Sequence, residues 1–278
     1  MLRLLQIEYH KLRHNKTARV LIMVYFIMLS LMSLLASIKF NFGDFSFRFA
    51  DQGIFNFPFI WHFNTWVAAW LKLFLAIVIV SMMANEYTHR TLKQNLIDGL
   101  SKKEFLLSKF LTVVVFSAAS TLFIFVVSLI LGLVFSDYTE FGIIIRDLQY
   151  LFAYFLKLVA FFSFCLFLGV LIKRSAFALG FLLIWLAIEW ITYGVLVSKL
   201  PDASTLPDQI AQFFPLMSMQ NLIIEPISRF GAVQSAASQL GAEFTKNYDV
   251  TLLKVLIASG WAFLFNYWSL LILKKRDL

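Results

Sequence analysis

Three charged residues lie inside long apolar runs of this chain, and they are its first candidates for chemistry. Lys72, Lys157 and Glu189 each stand some way inside a run, at a depth of roughly 13 Å for a helix that rises about 1.5 Å per residue. Charge buried in a membrane is costly and suggests a functional site. We expect Glu189 to pair with Lys157 or Lys72, inside a helical bundle or along a transport pathway. The alternatives are a purely structural ion pair and lysines that extend outward to the interface.

The second candidate is the polar segment Asn85–Glu104, which reads NEYTHRTLKQNLIDGLSKKE between two apolar runs. We expect the helix of the first run to continue to about Leu96 and to end in a turn at Gly99. The residues Ser101 and Glu104 form the capping-box pattern S-K-K-E at the start of the next helix. These signals predict a stiff basic elbow, which is the form that a lever needs. A capped hairpin that meets no partner is the alternative.

Patterns typical of enzymes and metal sites are not found in the sequence. It has no G-x-x-x-x-G-K-[ST] phosphate-binding loop, so any energy from ATP would come from a separate subunit. His10, His14, His62 and His89 lack metal-ligand spacing, and no nucleophile–base pattern is present. The single cysteine, Cys165, excludes an internal disulfide. We therefore expect no catalytic residue and no metal site in this chain.

The elements that position these residues are predicted to be helices in a bilayer. Hydrophobic residues make up 60% of the 278 residues and charged residues 14%, whereas soluble chains carry about 25% charged residues. The apolar runs have the length of a membrane span and do not alternate, which favours helices over an outer-membrane barrel. We predict an all-α polytopic membrane protein, a single domain over residues 1–278. Its six predicted spans are Ala18–Ile38, Asn64–Ala84, Phe110–Phe135, Leu148–Ile172, Ser175–Ser198 and Thr251–Leu273.

The basic residues predict an orientation. Fifteen lie before the first span or at its start (Arg19), between spans two and three, between spans four and five, and after the last span, against six on the other side. Because Lys and Arg collect on the cytoplasmic side, both termini are predicted to be cytoplasmic. The net charge of +8 has the same explanation and does not indicate binding to nucleic acid.

Two segments outside the spans are predicted to be helical. Residues 1–17 read as a basic amphipathic helix in the inner interface, or as a simple topology anchor. Its apolar face is predicted to carry Leu2, Leu5, Tyr9 and Leu12. Residues 199–250 are too long for a simple connection, and their apolar spacing predicts outer helices that dip back against the bundle. A smaller outer segment, Lys39–Phe63, is rich in aromatic residues and is predicted to lie at the headgroup level.

The whole arrangement resembles the permease subunits of ABC-2-type ABC transporters. The matching pieces are the N-terminal segment, the run MANEYTHRTLKQNLIDGLSKKEFLLSKF (Met83–Phe110), the six spans and the long outer segment before the last span. In that family a Glu, then Thr-Leu, then a Gly or Pro turn and a basic helix start mark the coupling element, which docks into a cytosolic ATPase. In this chain the element covers residues 85–109, and Arg90 stands where the family commonly has Gly. The corresponding residues are Glu86, Thr91, Leu92, Gly99, Ser101 and Lys102.

The resemblance implies a permease subunit of an ATP-driven exporter in the bacterial inner membrane. Two permease subunits, identical or different, would form the translocation path. Two cytosolic ABC ATPase subunits would carry ATP and Mg²⁺, so this chain would hold no cofactor. The rival interpretations are an ion-gradient-driven secondary transporter, a membrane scaffold or assembly protein, and an intramembrane enzyme. A secondary transporter tends to show paired broken helices and inverted repeats, and neither is clear in this sequence.

Overall fold

The computed structural model describes residues 2–35, 39–42, 45–48, 53–200, 206–230, 233–234, 238–239 and 248–276. Its long elements are helices, which confirms the predicted all-α membrane fold. Five helical segments in this part of the chain are long and apolar enough to cross a membrane. They overlap the second to sixth predicted spans. These segments are Phe59–Thr88, Lys102–Phe135, Phe141–Ile172, Ser175–Lys199 and Leu252–Lys275.

The chain begins with two helices that meet at a short joint. The first, α1 (Leu2–His14), is followed by α2 (Lys16–Leu35), which coincides with most of the first predicted span. Residues 36–38 of that predicted span lie outside the described residues. The Asn15 side chain accepts a hydrogen bond from the backbone N–H of Ala18 at 3.1 Å, so it caps the start of α2.

A small antiparallel hairpin follows α2 and was not predicted. Strands β1 (Lys39–Phe42) and β2 (Phe45–Arg48) pair so that Phe42 is opposite Phe45.

The second span differs from its prediction at both ends. It starts at α3 (Phe59–Ala68), passes through a 3₁₀ turn at Ala69–Leu71, and continues as α4 (Lys72–Thr88). The predicted continuation to Leu96 is wrong, because Arg90 has a φ of 55° and breaks the helix. A left-handed backbone favours glycine, which accounts for the Gly that the family pattern has at this position.

Beyond that break the chain makes a short helix and returns as a long one. These are α5 (Thr91–Ile97) and α6 (Lys102–Phe135). Gly99 lies between them with a φ of 94°, a conformation that glycine adopts at no steric cost. The predicted turn at Gly99 is therefore confirmed.

The remaining helices complete the bundle and its outer segment. The described part of residues 199–250 contains two short helices and a 3₁₀ turn at Ile227–Arg229, as predicted for a helical segment; its other residues lie outside the description. The helices, in chain order, are α7 (Phe141–Ile144), α8 (Gln149–Ile172), α9 (Ser175–Lys199), α10 (Leu206–Ala211), α11 (Pro215–Gln220) and α12 (Leu252–Lys275).

Helix α8 is the centre of the packing. It contacts α4, α6, α9 and α12, and residues along most of its length are buried, among them Tyr154, Leu158 and Phe162. Helix α9 is the opposite case, because only Ala178, Leu182 and Glu189 are buried along it. The exposed apolar residues of α9 would face lipid or another subunit, because a span shows apolar side chains to hydrocarbon.

Gly132 marks the closest approach of α6 to the loop before α3. A Cβ atom added to Gly132 would lie 2.3 Å from Cζ of Phe57. We predict that Gly132→Ala lowers the free energy of unfolding by about 1–3 kcal/mol, the usual cost of overpacking a buried contact. Thermal unfolding of the purified protein in one detergent measures the effect.

Gly180→Ala is the matched control, since a Cβ at Gly180 meets nothing within 4 Å. This change in α9 should be neutral or slightly stabilising, because alanine favours a helix more than glycine does. Equal melting temperatures for the two variants would contradict the close contact at Gly132.

Candidate functional site

The predicted elbow, residues 85–109, is built from the end of α4, the whole of α5 and the start of α6. Its geometry is fixed by the left-handed residues Arg90 and Gly99 and by the helix cap at Ser101. The backbone N–H of Glu104 donates to the Ser101 side chain at 3.2 Å, and the backbone N–H of Ser101 donates to the Glu104 carboxylate at 2.9 Å. The predicted capping box is therefore confirmed.

Glu86 is the centre of a buried ionic cluster under this elbow. Only 3% of its surface is exposed. Its Oε1 accepts hydrogen bonds from Nζ of Lys11 at 2.8 Å and from Nζ of Lys109 at 2.5 Å. Its Oε2 accepts from Oγ1 of Thr91 at 2.5 Å and from Nδ2 of Asn95 at 3.4 Å. One carboxylate thus joins α1, α4, α5 and α6.

The second carboxylate of the cluster is Glu8 on α1. Its Oε2 accepts from Nζ of Lys109 at 2.7 Å, and its Oε1 accepts from the Ser108 hydroxyl at 3.2 Å. Lys109 is fully buried between Glu8 and Glu86. With Lys11 added, two cations face two anions, the balance that burial of charge requires. We call these four residues, Glu8, Lys11, Glu86 and Lys109, the ionic cluster.

Sequence reasoning missed Glu8, which is 2% exposed. The predicted polar face of α1 is exposed and Leu5 and Leu12 are partly buried, but Tyr9, predicted on the apolar face, is 66% exposed. The reason is electrostatic: an unpaired buried Lys109 costs more than the exposure of one aromatic ring. The available signal was that Glu8 is the only acidic residue before Asp44 in a segment rich in basic residues.

The other predicted coupling residues divide between interior and surface. Leu92 is buried and packs in the core, whereas Arg90, Gly99 and Ser101 are exposed. Lys102 has a structural contact: its Nζ donates to the backbone oxygens of Arg276 at 2.9 Å and Lys274 at 3.4 Å. Lys102 therefore ties the elbow to the end of α12.

A reciprocal tie runs from the end of the chain. The guanidinium of Arg276 donates to the Tyr87 hydroxyl at 3.1 Å and to the backbone oxygens of Val170 and Leu171, the latter at 3.0 Å. The two carbonyls belong to the last turn of α8, where backbone oxygens lack helical partners. The elbow, α8 and α12 are thus joined at the same end of the bundle as α1.

The outward side of the elbow is polar except at one point. Ile97, at the end of α5, is 69% exposed. Its exposed neighbours on the elbow are polar or charged: His89, Arg90, Lys93, Gln94, Asp98, Lys103 and Glu104. An apolar residue within a polar rim is a pattern found at protein–protein contacts.

The intramembrane charges do not pair as predicted. Glu189 accepts hydrogen bonds from Nε1 of Trp185 at 2.7 Å and from the backbone N–H groups of Leu216 and Met217 at 3.0 and 2.8 Å. No salt bridge to a lysine is formed by Glu189 within the described residues. The predicted pairing with Lys157 or Lys72 is wrong, because the free N–H groups at the start of α11 attract the carboxylate.

Lys157 lies at the other end of the same short helix. Its Nζ is 3.4 Å from the backbone oxygen of Gln220, the last residue of α11. An anion at the start and a cation at the end of a helix both complement its dipole. Lys72 stands apart, with its Nζ over the ring of Phe161 at 4.4 Å, a cation–π distance. In the described ranges, no cluster of three or more metal-ligating side chains is formed.

These features define a polytopic helical membrane protein with a stiff polar elbow after its second predicted span. The family model described as ABC-2 family transporter protein matches residues 63–273. The chain therefore belongs to the ABC-2 transporter family, and it is the permease component of an ABC transporter, a membrane subunit that associates with ABC ATPases. No curated protein sequence matches the chain.

We predict that Lys109→Met destabilises the end of the bundle that holds the ionic cluster. The change leaves Glu8 and Glu86 buried with only the half-exposed Lys11 as a counter-charge, and breaking a buried pair from one side costs about 3–5 kcal/mol. Thermal unfolding, with proteolysis of the N-terminal segment as a local probe, measures the loss. Lys93→Met on the exposed side of α5 is the control, and equal stability of both variants would refute a structural role for the cluster.

Proposed function

We propose that this chain is the permease subunit of an ATP-driven exporter and that its elbow is the docking surface for a cytosolic ABC ATPase. The observation that carries the proposal is the combination of an exposed Ile97 with a buried, fully paired Glu86 on the same element. The surface offers an apolar contact to a partner. The interior anchors that surface to three other helices.

The anchoring is what suits the elbow to transmit motion. A displacement at α5 would pass through Thr91 and Glu86 into α4, and through Lys109 and Glu8 into α6 and α1. ATP binding and hydrolysis on the partner would bias an equilibrium between two arrangements of the spans, because the partner's contacts with the elbow would differ between them. ATP and Mg²⁺ would reside on the ATPase, and this chain would hold no cofactor.

The proposal includes a location and an assembly. The basic residues around the elbow and both termini support a cytoplasmic position for that end in a bacterial inner membrane. The exposed apolar side of α9 gives a second permease subunit, of the same or a different kind, a surface to cover. Two permeases would then enclose the translocation path, with the outer helices α10 and α11 over its far end.

The alternatives are a secondary transporter driven by an ion gradient and a membrane scaffold. Purification in mild detergent separates the three. An exporter subunit retains an ABC ATPase and its ATPase activity responds to cargo. A secondary transporter moves cargo alone, and a scaffold does neither.

We predict that Ile97→Asp weakens association with the ATPase at least about tenfold. Burial of the Ile97 side chain against the partner would contribute about 1.5–3 kcal/mol, and a tenfold loss of affinity corresponds to about 1.4 kcal/mol. Co-purification and titration of the two subunits in detergent measure it. Ile145→Asp is the matched control, since Ile145 is 48% exposed near α7, in the connection between α6 and α8 away from the elbow. An unchanged affinity for Ile97→Asp would place the ATPase elsewhere.

We predict that Glu86→Ala and Gly99→Pro separate ATP hydrolysis from transport while insertion persists. Loss of Glu86 detaches α5 from α1 and α6, and proline cannot adopt the φ of 94° at Gly99. ATP hydrolysis and cargo movement are measured together in proteoliposomes, and the transport per ATP should fall severalfold. Glu140→Ala, an exposed carboxylate before α7, is the control. Unchanged transport in both elbow variants would argue strongly against this role.

A further inference from the structure

Two intramembrane lysines are left without a carboxylate once Glu189 is bound to α11. Within the part of the chain that the structure describes, neither Lys72 nor Lys157 forms a salt bridge. Lys157 is only 4% exposed, and its ammonium has one long hydrogen bond to Gln220. An ammonium has three N–H donors, so both side chains keep donors unused. Uncompensated charge inside a bundle is unfavourable unless an anion is supplied.

Lys157 and the ring that Lys72 of α4 contacts lie on one face of α8. Phe161, which lies under the ammonium of Lys72, is four residues after Lys157. Residues four apart in a helix lie one above the other, so the two ammonium groups approach the same part of the bundle. Phe161 is 2% exposed and belongs to the apolar core, so the ammonium of Lys72 rests on an apolar surface.

Lys72 also marks an irregular point in its own span. It is the first residue of α4, directly after the 3₁₀ turn at Ala69–Leu71. Such a turn inside a long helix often marks a functional hinge. Lys72 is half-buried, and its neighbours Trp70 and Leu73 are 67% and 44% exposed. A ligand can therefore approach Lys72 from the apolar surface of the bundle, whereas Lys157 is buried behind it.

We propose that Lys72 and Lys157 form a binding site for the anionic group of an amphiphile. A carboxylate or phosphate would accept hydrogen bonds from both ammonium groups, and its hydrocarbon chain would lie along the apolar surface beside Trp70 and Leu73. This inference rests on the proposed function, and the amphiphile would be the cargo of that exporter. Lys157 also holds the end of α11, so occupancy of the site and docking of α11 are linked.

Binding is tested on the purified chain without any ATPase, in micelles of an uncharged maltoside detergent. The probe is a dansyl-labelled undecanoic acid, and its methyl ester is the uncharged comparison. We expect saturable binding of the acid, about tenfold tighter than that of the ester. The ester has no negative charge and therefore lacks a charge-assisted contact with the ammonium groups. Lys72→Gln and Lys157→Gln should each remove this preference, whereas Lys72→Arg and Lys157→Arg should retain it because arginine stays charged.

Lys254→Gln is the matched control. Lys254 also lies in an apolar span, but its Nζ donates to the backbone oxygen of Asp249 at 3.0 Å, near the start of α12. The proposal is overturned if acid and ester bind alike, if the two glutamine variants bind as the parent does, or if acetate displaces the probe at an equal concentration. Because no ATPase is present, such a failure leaves the docking of the elbow untouched, and a failure of docking leaves this result valid.

Discussion

The ammonium of Lys109 is the interaction on which the elbow depends. It is fully buried, and two carboxylates hold it from two directions: Glu8 on α1 and Glu86 on α4. A buried cation must be paired, and a paired one fixes the relative positions of the elements that supply its partners. The same cluster explains why α1 turns Glu8 towards the bundle. It also holds the start of α5 against α4, because the Thr91 hydroxyl donates to Glu86. The polar segment is therefore a stiff joint and not a loose loop.

Much of this fold could be predicted from the sequence, because hydrophobicity and helix caps are local signals. The long apolar runs are helices, and the capping box of Ser101 and the turn at Gly99 lie where predicted. The break at Arg90 could not be predicted from propensity, since arginine favours helices and a left-handed backbone is costly for it. Family resemblance gave the one hint, a glycine at that position.

The site was harder to predict than the fold, because ion pairing is a contact between distant residues. Glu86 was identified from its place in a motif, but its partners Lys11 and Lys109 lie 75 and 23 residues away. The second carboxylate, Glu8, lies 101 residues from the Lys109 that it binds. Glu189 shows the same limit in reverse. Charge alone suggested a lysine partner, whereas the unpaired N–H groups of α11 were closer. A sequence shows which charges lie inside long apolar runs, and it leaves their partners undetermined.

The central claim is that the elbow moves as one body with α1. Its most direct measurement is the distance between spin labels at the exposed positions Arg13 on α1 and Lys93 on α5. The distance is recorded with the ATPase bound, first without nucleotide and then trapped with ATP and vanadate. The predicted result is a narrow distribution of the Arg13–Lys93 distance that is the same in both states. Pairs of labels on different spans should change their separation between the two states. A distribution that shifts or broadens between Arg13 and Lys93 on trapping would contradict the account.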